Sequence, residues 1–193
     1  MNRKFTLQKG NAMRKLNKAK SENLVDVDII PLLDYINSLD DFYTTSSCEG
    51  RICVFCHVRS KLEDYPVGKW HRKVTFEEIM DAVNSGACSK ELWFRQEASI
   101  FHIVSKTLDG ASKMLDLALK SGYRRSGIQV MKEDRYMIEI VGTERIDNPI
   151  MNCGKLLVSE DYIRYLVECA NKKMESVQEK RVKFEQAIKE NLK

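Results

Sequence analysis

At 193 residues, 43% of them hydrophobic and 31% charged, the chain suits one domain or two small lobes and can bury roughly 70% of its unfolded surface. No apolar run approaches the ~18 residues that a membrane span needs, and the N-terminus lacks a signal-peptide apolar core, so the expected location is the cytoplasm. The net charge of +4 is uneven: Arg3, Lys4, Lys9, Arg14, Lys15, Lys18 and Lys20 sit in residues 1–20 without an acid.

Removing those seven from the 32 Lys and Arg leaves 25 basic groups against 28 acidic ones, so the whole positive excess lies in the N-terminal arm. Such an arm reads as a polyanion contact, with nucleic acid favoured over membrane because it has no lipid-facing stripe; the alternative is a solvated helix face. Within it, residues 11–20 have the spacing of a helix with Ala12, Met13, Leu16 and Ala19 on one side. A second helix is expected over 28–39, with Asp28 as N-cap, Pro31 in the first turn, and Ile29, Leu32, Leu33 and Ile36 facing the core.

Next comes Thr44-Thr45-Ser46-Ser47-Cys48-Glu49-Gly50-Arg51, a dense polar cluster ahead of an apolar strand expected over 51–58. Hydroxyls and backbone N–H groups beside a glycine and an arginine suit an anion or the carboxylate of a cofactor; the alternative is a Ser/Thr turn before a buried strand. The strand contains Cys53-Val54-Phe55-Cys56-His57, which matches a haem-attachment pattern. Residues three apart on an extended strand project from opposite faces, so no metal site is expected here. All six cysteines are expected as reduced thiols.

A charged loop over 60–68 leads to Lys69-Trp70-His71-Arg72-Lys73, where a ring among cations fits a base stack with phosphate contacts; a strand with a core Trp70 and wet charges fits equally. Thr75 and Glu78 form a capping box for a helix over 76–85 ended by Gly86. Strands are expected at 91–95 and 99–104, the latter with His102 among apolar residues, which by itself reads more readily as a core histidine than as a catalyst. Thr107 then caps a helix with Leu108, Ala111, Leu115, Ala118 and Leu119 as its buried face and Gly122 as its stop.

Residues 128–131 and 135–141 read as a hairpin, followed by strands at 146–151 and 155–158. A long helix over 159–192, capped by Ser159, closes the chain. Its apolar residues recur from Ile163 to Ile188 with Arg181 as an interruption, a pattern that packs on the chain's own sheet or dimerises; own-sheet packing is expected over 160–177, with a looser tail beyond. The class is α+β: a mixed, largely antiparallel sheet with helices on it, in one domain over 1–193 that has a basic arm (1–20) and two possible degenerate halves.

No G-x-G-x-x-G, Walker A, H-E-x-x-H or G-x-S-x-G motif is present, so Rossmann, P-loop, zincin and elbow-hydrolase sites are unsupported. A serine nucleophile at Ser46 or Ser47 would need His57, His71 or His102 beside it. In chain order, Ser46-Ser47-Cys48-Glu49-Gly50-Arg51, Lys69-Trp70-His71, Leu92-Trp93-Phe94, His102, Gly122-Tyr123-Arg124-Arg125-Ser126-Gly127 and Gly142-Thr143-Glu144-Arg145-Ile146-Asp147-Asn148-Pro149 are similar to the tRNA wybutosine-synthesising protein 3 family, archaeal type. The likeness runs from about residue 5 to about residue 180, with Glu49 standing where the family pattern has a small hydroxyl residue.

The resemblance implies an S-adenosylmethionine-dependent methyltransferase with a non-Rossmann fold, acting on a ring nitrogen of the tricyclic wyosine-type guanosine beside the anticodon of tRNA-Phe. On it, Ser46, Ser47, Gly50, Ser126, Gly127 and Arg145 are expected at the cofactor, Arg51 at a carboxylate or phosphate in the site, and His102 as general base. Lys15, Lys18, Lys69, Trp70 and Arg72 are expected at the tRNA. The rival reading is a non-catalytic RNA-binding module or assembly factor.

Overall fold

A computed structural model describes residues 3–58 and 64–192; residues 60–63 of the charged loop expected at 60–68 lie outside them, and 65–68 belong to a strand. The chain forms two compact units, Met1–Glu49 with Ser99–Thr143 and Gln178–Lys193, and Gly50–Ala98 with Glu144–Val177. Each contains one sheet, and every strand pairing is antiparallel. The α+β class is therefore observed, as two sheets rather than one.

In the first unit, α1 (Arg3–Ser21) and a 3-10 turn at Val27–Ile29 lead to α2 (Ile30–Ser38) and β1 (Phe42–Cys48). β1 pairs with β5 (Ile100–Ser105), which pairs with β7 (Arg135–Val141), which pairs with β6 (Gly127–Lys132). One sheet face buries Phe101, Ile103, Ile138 and Ile140 against α2, α4 (Leu108–Lys120) and the end of α5 (Glu160–Asn191). Phe101, Tyr123 and Phe184 stack at the centre, with ring centroids 5.4 to 6.4 Å apart. On the opposite face Phe5 of α1 packs on Tyr43, centroids 5.3 Å apart.

Several sequence expectations shift here. The first helix begins at Arg3 and its buried residue is Phe5, whereas Ala12, Met13, Leu16 and Ala19 are only half-buried: Ala12 packs beside Phe5 and Tyr43, and Leu16 against the edge of the main core. Asp28 is no cap: the 3-10 turn precedes α2, and it is the Asp26 carboxylate that accepts a bond, from the Glu49 N–H at 2.8 Å. On α4 the buried residues are Ala111, Met114, Leu117 and Ala118, while Leu108 and Leu119 are each 42% exposed. The face centres on 111, 114 and 118, so position 119, about 100° further round, meets water. The α5 tail is also well packed, with Phe184 and Ile188 fully buried.

Arg181, which interrupts that helix's apolar pattern, forms an ion pair with the Glu49 carboxylate at 2.8 Å, and Glu49 is only 2% exposed. Burial pushes the Glu49 carboxyl up, and Arg181 opposes the shift. A two-residue link such as Glu49-Gly50 ordinarily closes a hairpin. Here the Glu49 N–H and side chain are both engaged elsewhere, Gly50 takes φ +103°, and the chain leaves for the second sheet.

The second unit orders its strands β3 (Tyr65–Trp70), β2 (Arg51–His57), β4 (Glu91–Glu97), β8 (Ile146–Asn152) and β9 (Lys155–Leu156). Ile52, Val54, Phe94 and Ile150 pack under α3 (Phe76–Asn84) and the first half of α5. Ser159 caps α5, its hydroxyl accepting from the Tyr162 N–H at 3.3 Å. Contrary to the expectation of six thiols, Cys56 and Cys88 are joined in a disulfide. Cys56 shares the core face with Ile52 and Val54, whereas Cys53 faces the other way and burial raises its thiol pKa to about 12. The capping box at α3 is as expected, and Arg72 grips Glu78 through two further bonds of 2.6 and 3.1 Å.

Two outcomes follow from these contacts. Asn37 is buried; its Nδ2 donates to Leu33 O and Thr44 Oγ1 at 2.7 and 2.8 Å, and its Oδ1 accepts from the Thr44 N–H at 2.9 Å. Asn37→Ala orphans that buried N–H, so urea unfolding should show a loss of about 1–3 kcal/mol. Glu78 is held near pKa 2, from an ordinary 4.5, by Arg72 first and then by the Thr75 N–H. A depressed carboxylate contributes stability above its unfolded pKa and loses it as pH falls through the folded one. Glu78→Gln should therefore be less stable at neutral pH and show a shallower acid decline between about 4.5 and 2 by thermal melting.

Candidate functional site

The site grows from an irregularity in β1. Thr44 pairs with Ile103 and Ser47 with Phe101, so Thr45 and Ser46 together oppose the single residue His102. A bulge of this kind bends the strand and re-aims a side chain. The Ser46 hydroxyl thereby reaches His102 Nδ1 at 2.9 Å. His102 Nε2 lies 3.1 Å from Glu139 Oε1, on the adjacent position of β7. Gln129 Nε2 donates to the other Glu139 oxygen at 3.1 Å.

This chain of four polar side chains lies on the sheet face opposite the core of the first unit, where alternation along β5 and β7 places 102 and 139 and a bulge in β6 at Gln129 brings its amide to Glu139. Nδ1 also lies 3.3 Å from the Ser46 carbonyl oxygen; in the tautomer whose Nε2–H donates to Glu139, the shorter contact is the Ser46 hydroxyl donating to Nδ1, which is the arrangement a base needs. His102 is 21% exposed at its side chain, accessible enough to exchange a proton with a bound molecule.

Ser46 also lines a cavity of about 650 Å³ together with Tyr43, Thr45, Lys4, Gln8, Asn11, Ala12 and Lys15 of α1, and Lys132, Glu133 and Arg135 at the β6–β7 turn. Ser47, next along β1, has a buried hydroxyl with no hydrogen-bond partner. Its pairing with Phe101 puts that hydroxyl on the core side of the sheet, away from His102.

The other residues named from sequence are placed as follows. Ser126 donates to Tyr123 O at 2.7 Å and accepts from the Val141 N–H at 3.1 Å, fastening the approach to β6. Gly127 pairs in register with Glu139, and a Cβ there would meet open space. Gly50, Arg51 and Arg145 belong to the second unit. There Arg51 meets Glu97 at 2.5 Å, and Arg145 meets Asp147 at 2.6 Å. His57, another imidazole candidate, is paired with Asp64 at 2.9 Å.

Of the residues expected at nucleic acid, Lys15 lines the cavity and Lys18 stands in solvent 3.7 Å from Glu22. In the second unit Lys69 is exposed, Trp70 packs against the core cluster with its ring folded over Gly68, and Arg72 is engaged by Glu78. A Cβ on Gly68 would fall 2.2 Å from the Trp70 ring, which explains the glycine. Within the arm, Lys9 bonds Leu39 O, Arg14 bonds Asn11 and Lys20 bonds Asp34, so only part of the basic arm faces the cavity. Sequence reasoning missed Glu139, Gln129, Lys132 and Arg135. The polar residues that interrupt the otherwise apolar β6 and β7 were the available signal.

Comparison with known proteins bears on the chain as a whole. A sequence model of the family described as Methyltransferase TYW3 matches residues 7–190. A Thermococcus sibiricus protein named tRNA(Phe) 7-((3-amino-3-carboxypropyl)-4-demethylwyosine(37)-N(4))-methyltransferase is 40% identical over 186 residues, 95% of this chain and 94% of its own length. A Methanocaldococcus jannaschii protein of the same name is 34% identical over 91% of this chain and 92% of its own. The solved structure of the PH1069 protein from Pyrococcus horikoshii superposes with a TM-score of 0.90 at 38% identity, covering 95% of both chains. No helix among the described residues is long and apolar enough to cross a membrane. Matched along nearly its whole length in sequence and in fold, this chain belongs to the Methyltransferase TYW3 family.

Proposed function

We propose that this chain transfers a methyl group from S-adenosylmethionine to the N4 ring nitrogen of a demethylwyosine-type guanosine in tRNA(Phe), in the cytoplasm, with His102 as the base. The enzyme class, a tRNA N-methyltransferase of wybutosine biosynthesis, follows from family membership and from the names of relatives that match nearly the whole chain. The observation that carries the mechanism is the hydrogen-bonded series Ser46, His102, Glu139 beside the cavity.

When bound, S-adenosylmethionine supplies an electrophilic methyl carbon on a sulfonium; that carbon–sulfur bond breaks as the carbon–nitrogen bond forms, and the donor leaves as a neutral thioether. The chain must present the acceptor nitrogen with its lone pair free and in line, with water excluded. Ser46 accepts the proton leaving that nitrogen while its own hydroxyl proton passes to His102 Nδ1. Glu139 then faces an imidazolium and stabilises it, and Gln129 keeps the carboxylate aimed. Ser47, which pairs with Phe101 on the core side of the sheet, is proposed at the donor on the family resemblance alone. Gly50, Arg51, Ser126, Gly127 and Arg145 are proposed at the donor on the family resemblance alone, as are Lys18, Lys69, Trp70 and Arg72 at the tRNA.

His102→Gln should lower kcat about 10²–10⁴-fold in a labelled-methyl assay on tRNA(Phe) from cells lacking the modification. Glu139→Gln should lower kcat with KM for both substrates unchanged, and Glu139→Asp should recover part of the loss. Near wild-type turnover in His102→Gln would remove the imidazole from the reaction. Donor binding is checked separately by melting: S-adenosylmethionine at 100 times its dissociation constant should stabilise the protein by about 2.7 kcal/mol. An absent shift would favour an RNA-binding module.

A further inference from the structure

The basic residues of the cavity divide between two elements that sequence distance hides. Lys4 and Lys15 come from α1, Lys132 and Arg135 from the β6–β7 turn, and Glu133 is the single acid in the lining. Lys132 and Arg135 are direct cross-strand partners, separated by a two-residue turn in which Asp134 has φ +61°. Directly opposed residues share a face of the hairpin, and like charges so placed repel. Among the described residues neither cation has an acidic partner to relieve the repulsion, and neither does Lys15. An anion seated on the hairpin would relieve it.

The size of that anion can be bounded. Lys4 and Lys15 are 11 positions apart on one helix, which at about 1.5 Å per residue separates them by ~16 Å along its axis. A single phosphate or carboxylate cannot bridge that distance, whereas successive phosphates of one strand can. Gln8, Asn11, Thr45 and Ser46 add amide and hydroxyl groups to the walls, able to meet sugar and base edges.

We propose that this cavity is an RNA-strand clamp, in which the β6–β7 turn holds consecutive phosphates through Lys132 and Arg135, α1 continues the track through Lys15 and Lys4, and the nucleotide between them is delivered to Ser46 and His102. The inference rests on the reading of this chain as an RNA-modifying enzyme and assigns the side of the fold from which the RNA enters. Specificity for the modified base is separate from the clamp, because phosphate contacts position a strand without reading it.

The test uses the full chain and a dye-labelled anticodon stem-loop RNA without the modified base, titrated by fluorescence anisotropy at several salt concentrations. Lys132→Glu with Arg135→Glu should weaken binding at least 10-fold and flatten the plot of log K against log salt by about 1.4, at roughly 0.7 per single-strand phosphate contact. The neutral pair Lys132→Gln with Arg135→Gln should move both quantities in the same direction by less, and covers the case in which charge reversal disturbs the hairpin. Lys172→Glu with Lys183→Glu, two exposed α5 lysines outside the cavity, serves as the charge-matched control.

Equal loss in the control and hairpin variants, or an unchanged slope in both hairpin variants, overturns the clamp. If the hairpin variants instead bind RNA normally and lose their thermal stabilisation by S-adenosylmethionine, the cavity belongs to the donor and the proposal is also wrong. Hairpin-dependent RNA binding by a protein that transfers no methyl group would leave the clamp standing and remove the catalytic reading.

Discussion

Asn37 holds β1 in place, and the site depends on where β1 is held. Its amide saturates the backbone N–H and the hydroxyl of Thr44 while tying both to the Leu33 carbonyl of α2. Thr44 is the last residue in regular register before the bulge, so a buried, fully satisfied side chain determines where the extra residue of the strand falls. Were the bulge displaced by one position, the alternation of the strand would send Ser46 away from His102. The contact that fastens helix to sheet thus also aims the hydroxyl at the imidazole.

The Glu49–Arg181 pair has a comparable role at the other end of β1. A carboxylate that is 2% exposed loses most of its hydration, and one guanidinium bond does not by itself repay that loss. What the pair supplies is direction: with its side chain bound to α5 and its N–H bound to Asp26, Glu49 ends the strand, and Gly50 turns the chain out of the first sheet. A small hydroxyl residue at this position would lack that tie, so the end of the polar cluster acts here as a structural anchor.

The polar cluster of the sequence therefore divides into parts with different duties. Thr44 is structural, Ser46 faces the histidine and the cavity, Ser47 has a buried unpartnered hydroxyl, Glu49 is an anchor and Arg51 starts a strand of the other unit in contact with Glu97. The basic arm divides likewise. Lys4 and Lys15 turn to the cavity while Lys9, Arg14 and Lys20 bond within the unit. Treating either segment as one uniform contact surface overstates its functional part.

By itself the sequence determined what local chemistry controls: the capping box at Thr75 and Glu78, the Thr107 cap, the β6–β7 hairpin, the stripe of α5 and the antiparallel α+β class. Each is set by residues within a few positions of one another. It also singled out Ser46 and His102, through an ordered set of motifs. Only the tertiary structure decided that strands joined by two residues enter different sheets, that Cys56 meets Cys88 across 32 positions, and that Arg181 interrupts a helix in order to meet Glu49. The same holds for Glu139 and Gln129 behind His102, and for Lys132 and Arg135 facing α1 across the cavity. These depend on register and on the packing of segments far apart in the chain, where no local pattern records which partner a polar side chain will meet.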